Sequence, residues 1–156
     1  MATQWTAQTV AGQVLSNTTL NTIGAAWENY TPALSAWIQG NGTYYARYSR
    51  TQQIISFEMI FTVGSTTTFA LGPIFSLPIT PRVGSNWAFG FNGFATDAST
   101  GIQYPLRAWP VATNNFYPVV TQTTTTYGDT TYVSGTAPMS WTTNDKLVMY
   151  GTYEAA

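Results

Sequence analysis

The sequence predicts an all-β protein: an antiparallel β-sandwich or jelly roll behind a short N-terminal extension that holds one small helix. Three observations predict it. Threonine occurs 28 times and aromatic side chains 24 times in 156 residues, and β-branched and aromatic residues suit a pleated, half-buried surface. One run alternates strictly, with Ile55, Phe57, Met59, Phe61 and Val63 on one face and Ser56, Glu58 and Thr62 on the other, the period of a strand packed on a core. Turn residues recur at short intervals with no helical pattern between them, as in sandwiches and barrels. The length is that of one domain.

Taken in order, residues 1–29 form a lead and residues 30–156 the β domain. In the lead, Ser16 or Asn17 caps a short helix through Leu20 and Ile23 that Gly24 ends. So short a helix needs a surface to dock on, and Trp5, Val14, Leu15, Leu20 and Trp27 are the candidate anchoring residues, reaching either the chain's own body or a neighbouring protein. Residues 30–37 read as a strand leading into Gly40-Asn41-Gly42, a hairpin signal because Gly and Asn accept positive φ. Residues 43–49 answer it. A turn at Thr51-Gln52 leads into residues 54–63, which would set Arg47 diagonally from Glu58 as a structural ion pair. Further strands are expected at 69–77, 85–96, 102–112, 116–121 and 146–154, with turns at Asp97-Ala98-Ser99-Thr100-Gly101, Asn114-Asn115 and Thr142-Thr143-Asn144-Asp145. Residues 121–126 are a local low-complexity patch.

The composition excludes much chemistry. Five cations against six carboxylates leave a net charge of −1, which offers no basic surface for phosphates. The chain has no cysteine and no histidine, so disulfides, thiolate metal sites and His-dependent nucleophiles are absent. No apolar run is long enough to span a membrane, and no secretory leader is read. Of the carboxylates, Asp97, Asp129 and Asp145 fall in expected turns, where Asp serves the local backbone, and Glu58 faces Arg47. No pair is spaced for glycoside hydrolysis, residues 97–101 carry too few oxygen ligands for calcium, and no phosphate-binding glycine loop occurs. No catalytic residue, metal or cofactor is expected. Exposed aromatics suggest sugar contact instead, with Tyr104, Trp109 and Tyr127 as candidates. Aromatics on both faces of a strand, as at Tyr44 and Tyr45 or Tyr150 and Tyr153, suggest a second covered face and hence oligomerisation.

Five segments in order then carry a resemblance: Val10-Ala11-Gly12-Gln13-Val14-Leu15 with residues 17–21; Trp27-Glu28-Asn29-Tyr30-Thr31-Pro32; Gly40-Asn41-Gly42-Thr43 with Tyr48 and residues 54–62; Phe75-Ser76-Leu77-Pro78; and Trp141-Thr142-Thr143-Asn144-Asp145-Lys146-Leu147 with Gly151-Thr152-Tyr153-Glu154. Together these resemble the small virion proteins of tailed phages and prophages, of minor tail, tail-fibre or head-fibre type. Where those proteins often carry Gly or Lys before the long strand, this chain has Thr51-Gln52-Gln53. The resemblance implies a β-sandwich homotrimer on the particle exterior and carries over no catalytic residue. On that reading the N-terminal segment is expected to anchor the chain to other virion proteins and the outer loops to face solvent or a host surface, a host-surface glycan being one candidate partner. A head-fibre or capsid decoration protein is the alternative within the class, and a carbohydrate-binding module the alternative outside it.

Overall fold

The computed structural model describes residues 26–82, 90–111, 114–122 and 129–156. Ten strands appear among them: β1 Glu28–Asn29, β2 Leu34–Ser35, β3 Thr43–Thr51, β4 Ile54–Thr62, β5 Ile74–Ser76, β6 Asn92–Thr96, β7 Gln103–Val111, β8 Asn115–Gln122, β9 Asp129–Tyr132 and β10 Lys146–Glu154. They form one antiparallel sheet in the order β1-β3-β4-β10-β6-β7-β8-β5-β2, with β9 added to β8, curled into a half-barrel. The all-β, antiparallel expectation holds, and no helix occurs among the described residues. The expected N-terminal helix lies outside them.

The alternating run became β4. Ile55, Phe57, Met59 and Phe61 are all buried, and Ser56, Glu58, Ile60 and Thr62 face outward. Strand β3 folds back on it through a turn at Gln52, whose φ is +57°. A glutamine therefore holds the left-handed position that glycine takes at lower cost. Strand β10 keeps the expected bounds and fills the centre of the sheet. It pairs along its whole length with β4, and with β6 on its other side.

The concave face encloses an aromatic core. Phe57 meets Phe91 edge-on at 4.8 Å and lies 6.0 Å from Phe116, and Phe116 lies 5.8 Å from Phe75. At one end Trp37, Phe69 and Trp141 form a second cluster, with ring centroids 4.8 to 6.3 Å apart. The Trp141 indole donates to the Ser134 carbonyl at 2.8 Å, which satisfies its buried polar end.

Several expected elements differ. The Gly40-Asn41-Gly42 turn forms, with Gly40 at φ +56°, yet it does not close a hairpin. The strand before it, β2, pairs with β5, and the strand after it, β3, pairs with β4 and β1. Asn41 explains the departure. Its side-chain oxygen accepts from Thr66 N–H at 2.9 Å and its amide donates to Ser65 at 3.1 Å, tying the turn to a distant loop instead of to its own flanks. Residues 30–37 supply only β2, because Ala36 adopts φ +66°. The strand read over 69–77 shrinks to β5, since Pro73 has no N–H for a ladder. Residues 85–96 supply β6, and residues 83–89 lie outside the described part. Asp129 was expected in a turn and instead begins β9.

Asp145 does more than serve its turn. It is fully buried, one carboxyl oxygen accepts Ala98 N–H at 2.8 Å, and the other accepts Thr142 N–H at 2.6 Å and the Thr142 hydroxyl at 3.2 Å. Asp97 matches the turn reading: Oδ1 accepts from the Ser99 hydroxyl and N–H and from Thr100 N–H, which lowers its pKa, the Ser99 hydroxyl contributing most.

Tyr153 is a clamp. Its hydroxyl donates to the Ile79 carbonyl at 2.7 Å and accepts Ile79 N–H at 3.1 Å. Burial pushes its pKa up to about 12, opposed by the Ile79 N–H. Burial alone raises Tyr44, and burial followed by the charge of Tyr153 raises Tyr30. The native state thus holds three phenols neutral that the unfolded chain ionises near pH 10. The stability they contribute is complete below about pH 10 and is lost as pH climbs through the raised values. Thermal melts should show a midpoint unchanged up to about pH 10 and falling steadily above it. Tyrosinate absorbance should show these phenols titrating only as the protein unfolds. All ten tyrosines ionising together near pH 10, with the fold intact, would contradict this.

Candidate functional site: the convex face of the sheet

Two-residue alternation decides what the convex face presents. One cross-strand row runs Tyr45, Ile60, Val148, Phe94, Pro105 over β3, β4, β10, β6 and β7. It is apolar throughout. The next row runs Arg47, Glu58, Tyr150, Asn92, Arg107, Val119, Tyr132, ending on β8 and β9, and it is largely polar. Tyr44 and Tyr153 point to the core, whereas Tyr45 is 51% and Tyr150 46% exposed. Each of these strands therefore carries aromatics on both faces.

Arg47 and Glu58 sit directly opposite one another, not diagonally, with Nε 2.5 Å from Oε1. The reason is the short turn at Gln52, which sets the register two residues from the expected one and so keeps both side chains on the same face. Both side chains are about one-third exposed, so the pair contributes about 0.2–1 kcal/mol. The Arg47 guanidinium also lies 4.6 Å above the Trp27 ring and 5.6 Å from the Tyr45 ring. Trp27, itself 46% exposed, is thereby held against the β3 end of the apolar row. Trp5, Val14, Leu15 and Leu20, the other candidate anchoring residues, lie outside the described part.

The sugar-contact candidates do not form one platform. Tyr104 packs against the core cluster on the concave face, and Trp109, an odd number of residues along the same strand, lies on the convex face. Tyr127 is outside the described residues. Trp109 instead joins Tyr132 at 5.7 Å, and Tyr132 lies 4.9 Å from Tyr117. Gly72 leaves room for that trio, since a Cβ there would come 3.0 Å from Tyr132.

A cleft of about 410 Å³ opens in the middle of the sheet's convex face, where β10, β6, β7 and β8 contribute Tyr150, Asn92, Pro105, Arg107 and Thr121. None of its residues was a candidate from sequence except through the two-faced pattern of Tyr150. Arg107 stands out chemically. Arg47 and Arg82 each pair with a glutamate at 2.5 Å, and Arg50 donates to the Gln52 carbonyl. Arg107 is exposed and has no carboxylate partner among the described residues.

Five of the six carboxylates are occupied elsewhere. Glu28 accepts from the Tyr48 hydroxyl at 3.0 Å; burial, followed by this bond, raises the Tyr48 pKa. Glu58 and Glu154 hold arginines, and Asp97 and Asp145 hold backbone N–H groups. No group of three or more potential metal ligands occurs among the described residues. No family model, no curated protein and no solved structure matches the chain.

Proposed function

We propose that this chain is a non-catalytic structural protein carried on the exterior of a tailed-phage particle as a homotrimer of sandwich-type modules. Residues 1–29 attach it to other virion proteins, and the β domain faces outward. The observation that carries this reading is the aromatic patch at the β1–β4 end of the convex face. Trp27 and Tyr45 stand half-exposed around the Arg47 stem, and Ile60 continues them. Only 7% of the chain's residues are charged, against roughly 25% in ordinary domains, so little repulsion opposes covering that patch with another copy. Five of the six carboxylates, Glu28, Glu58, Asp97, Asp145 and Glu154, are engaged in structural bonds, which supports a role without catalysis. The five sequence segments similar to phage virion proteins supply the setting.

Light scattering coupled to size-exclusion chromatography tests the assembly. The chain should elute as a trimer at micromolar concentration, and Trp27→Ala with Tyr45→Ser should elute as a folded monomer. A monomeric parent overturns the assembly reading. Copy number in purified particles then separates the two placements. A handful of trimers at one end indicates a tail component, and tens to hundreds over the shell indicate a head fibre or decoration protein.

A further inference from the structure

We propose that the cleft between β10 and β8 binds a sugar that carries a carboxylate, such as a uronic acid. The volume, about 410 Å³, falls in the range of small-ligand sites. Its residues offer the three kinds of contact such a ligand requires. Tyr150 presents a half-exposed ring, a flat apolar surface for the C–H face of a pyranose. Asn92 lies beside it in the same cross-strand row, and its amide both donates to and accepts from hydroxyls. Thr121 also lines the cleft, and its hydroxyl can donate or accept. Arg107, next along the row from Asn92, supplies the charge. An exposed guanidinium with no carboxylate partner among the described residues is suited to a bidentate bond with a carboxylate from outside. In a chain with only five cations, an arginine at the rim of a concave aromatic site sets the preference for an acidic sugar over a neutral one.

The cleft lies at the β10–β8 side of the sheet, whereas the self-association patch lies at the β1–β4 side. The two share no residue, so their tests use different variants.

Chemical-shift titration of the full chain with glucuronate, glucose, acetate and inorganic phosphate tests the proposal. Glucuronate should perturb Tyr150, Asn92 and Arg107, with an affinity at least about tenfold above glucose or acetate and falling as salt rises. Arg107→Gln should weaken glucuronate binding by about tenfold or more. Tyr150→Ala should weaken it as well. Trp27→Ala with Tyr45→Ser should leave it unchanged. An equal response to glucose overturns the role of Arg107. An equal response to acetate or phosphate shows an anion site without a sugar, and also overturns the proposal. Both exchanged side chains are solvent-facing, and Arg107→Lys, which keeps the charge but loses the fork, provides a second reading with an intermediate loss expected.

Discussion

Replacing Asp145 by alanine should lower the stability of the fold by about 3–5 kcal/mol, because two part-buried N–H groups and a hydroxyl lose a charged acceptor at once. The bonds from Ala98, Thr142 N–H and the Thr142 hydroxyl are 2.8, 2.6 and 3.2 Å, and the residue has no contact with water. These bonds tie the loop between β6 and β7 to the turn that launches β10. The turn itself docks on β4's end, where Val63 N–H donates to the Asp145 carbonyl at 2.9 Å. Urea denaturation of parent and variant measures the loss directly. Asp145→Asn should retain part of the stability, since its carbonyl still accepts while its amide faces a donor. A loss below about 1 kcal/mol for the alanine variant would show that water replaces the carboxyl without penalty.

The second large effect lies in the core. Phe57→Ala should cost about 3–5 kcal/mol, the transfer term of a buried ring plus the cavity it leaves. Phe57 is 2% exposed and its ring meets Phe91, Phe116 and Tyr153 at 4.8, 6.0 and 6.1 Å. The edge-on pair with Phe91 adds about 0.5–1.5 kcal/mol beyond area. Strands β4, β6, β8 and β10 all contribute to that cluster or abut it, so no single neighbour can shift to refill the space. Phe57→Leu, which keeps most of the volume, should cost less than half as much. Denaturant midpoints of the three proteins, at unchanged slope, give the comparison.

How much of this was legible in the sequence depended on the range of the forces involved. Strand β4 was readable because Ile55 to Phe61 repeat at the period of the pleat, and β10 because Leu147, Met149 and Tyr153 do so between a polar turn and Glu154. Asp97 was readable as a turn residue because its bonds reach only two or three residues along the chain. Strand β9 was missed because Asp129-Thr130-Thr131-Tyr132 has no apolar alternation. It owes its form to the exposed edge of β8, which it completes. The Asn41 turn was misassigned because its decisive partners are Ser65 and Thr66, on the far side of a hairpin. The cleft was illegible for the same reason. Tyr150, Asn92 and Arg107 become neighbours only through the registers of β10, β6 and β7, and a shift of one residue in any of them would send that side chain into the core.

The position of β10 in the sheet also governs when the molecule can exist. Lys146–Glu154 follows the other nine described strands in the chain, yet it separates β4 from β6 and bonds to both. Until it arrives, the β3–β4 hairpin and the β6–β7–β8 ladder are two unfinished pieces, each with an open edge and an uncovered aromatic face. Contacts that join residues near 58 to residues near 150 carry a large loop-closure cost before they return anything. The sheet therefore closes only once β10 is available, and a chain halted before Lys146 should present open strand edges to its neighbours.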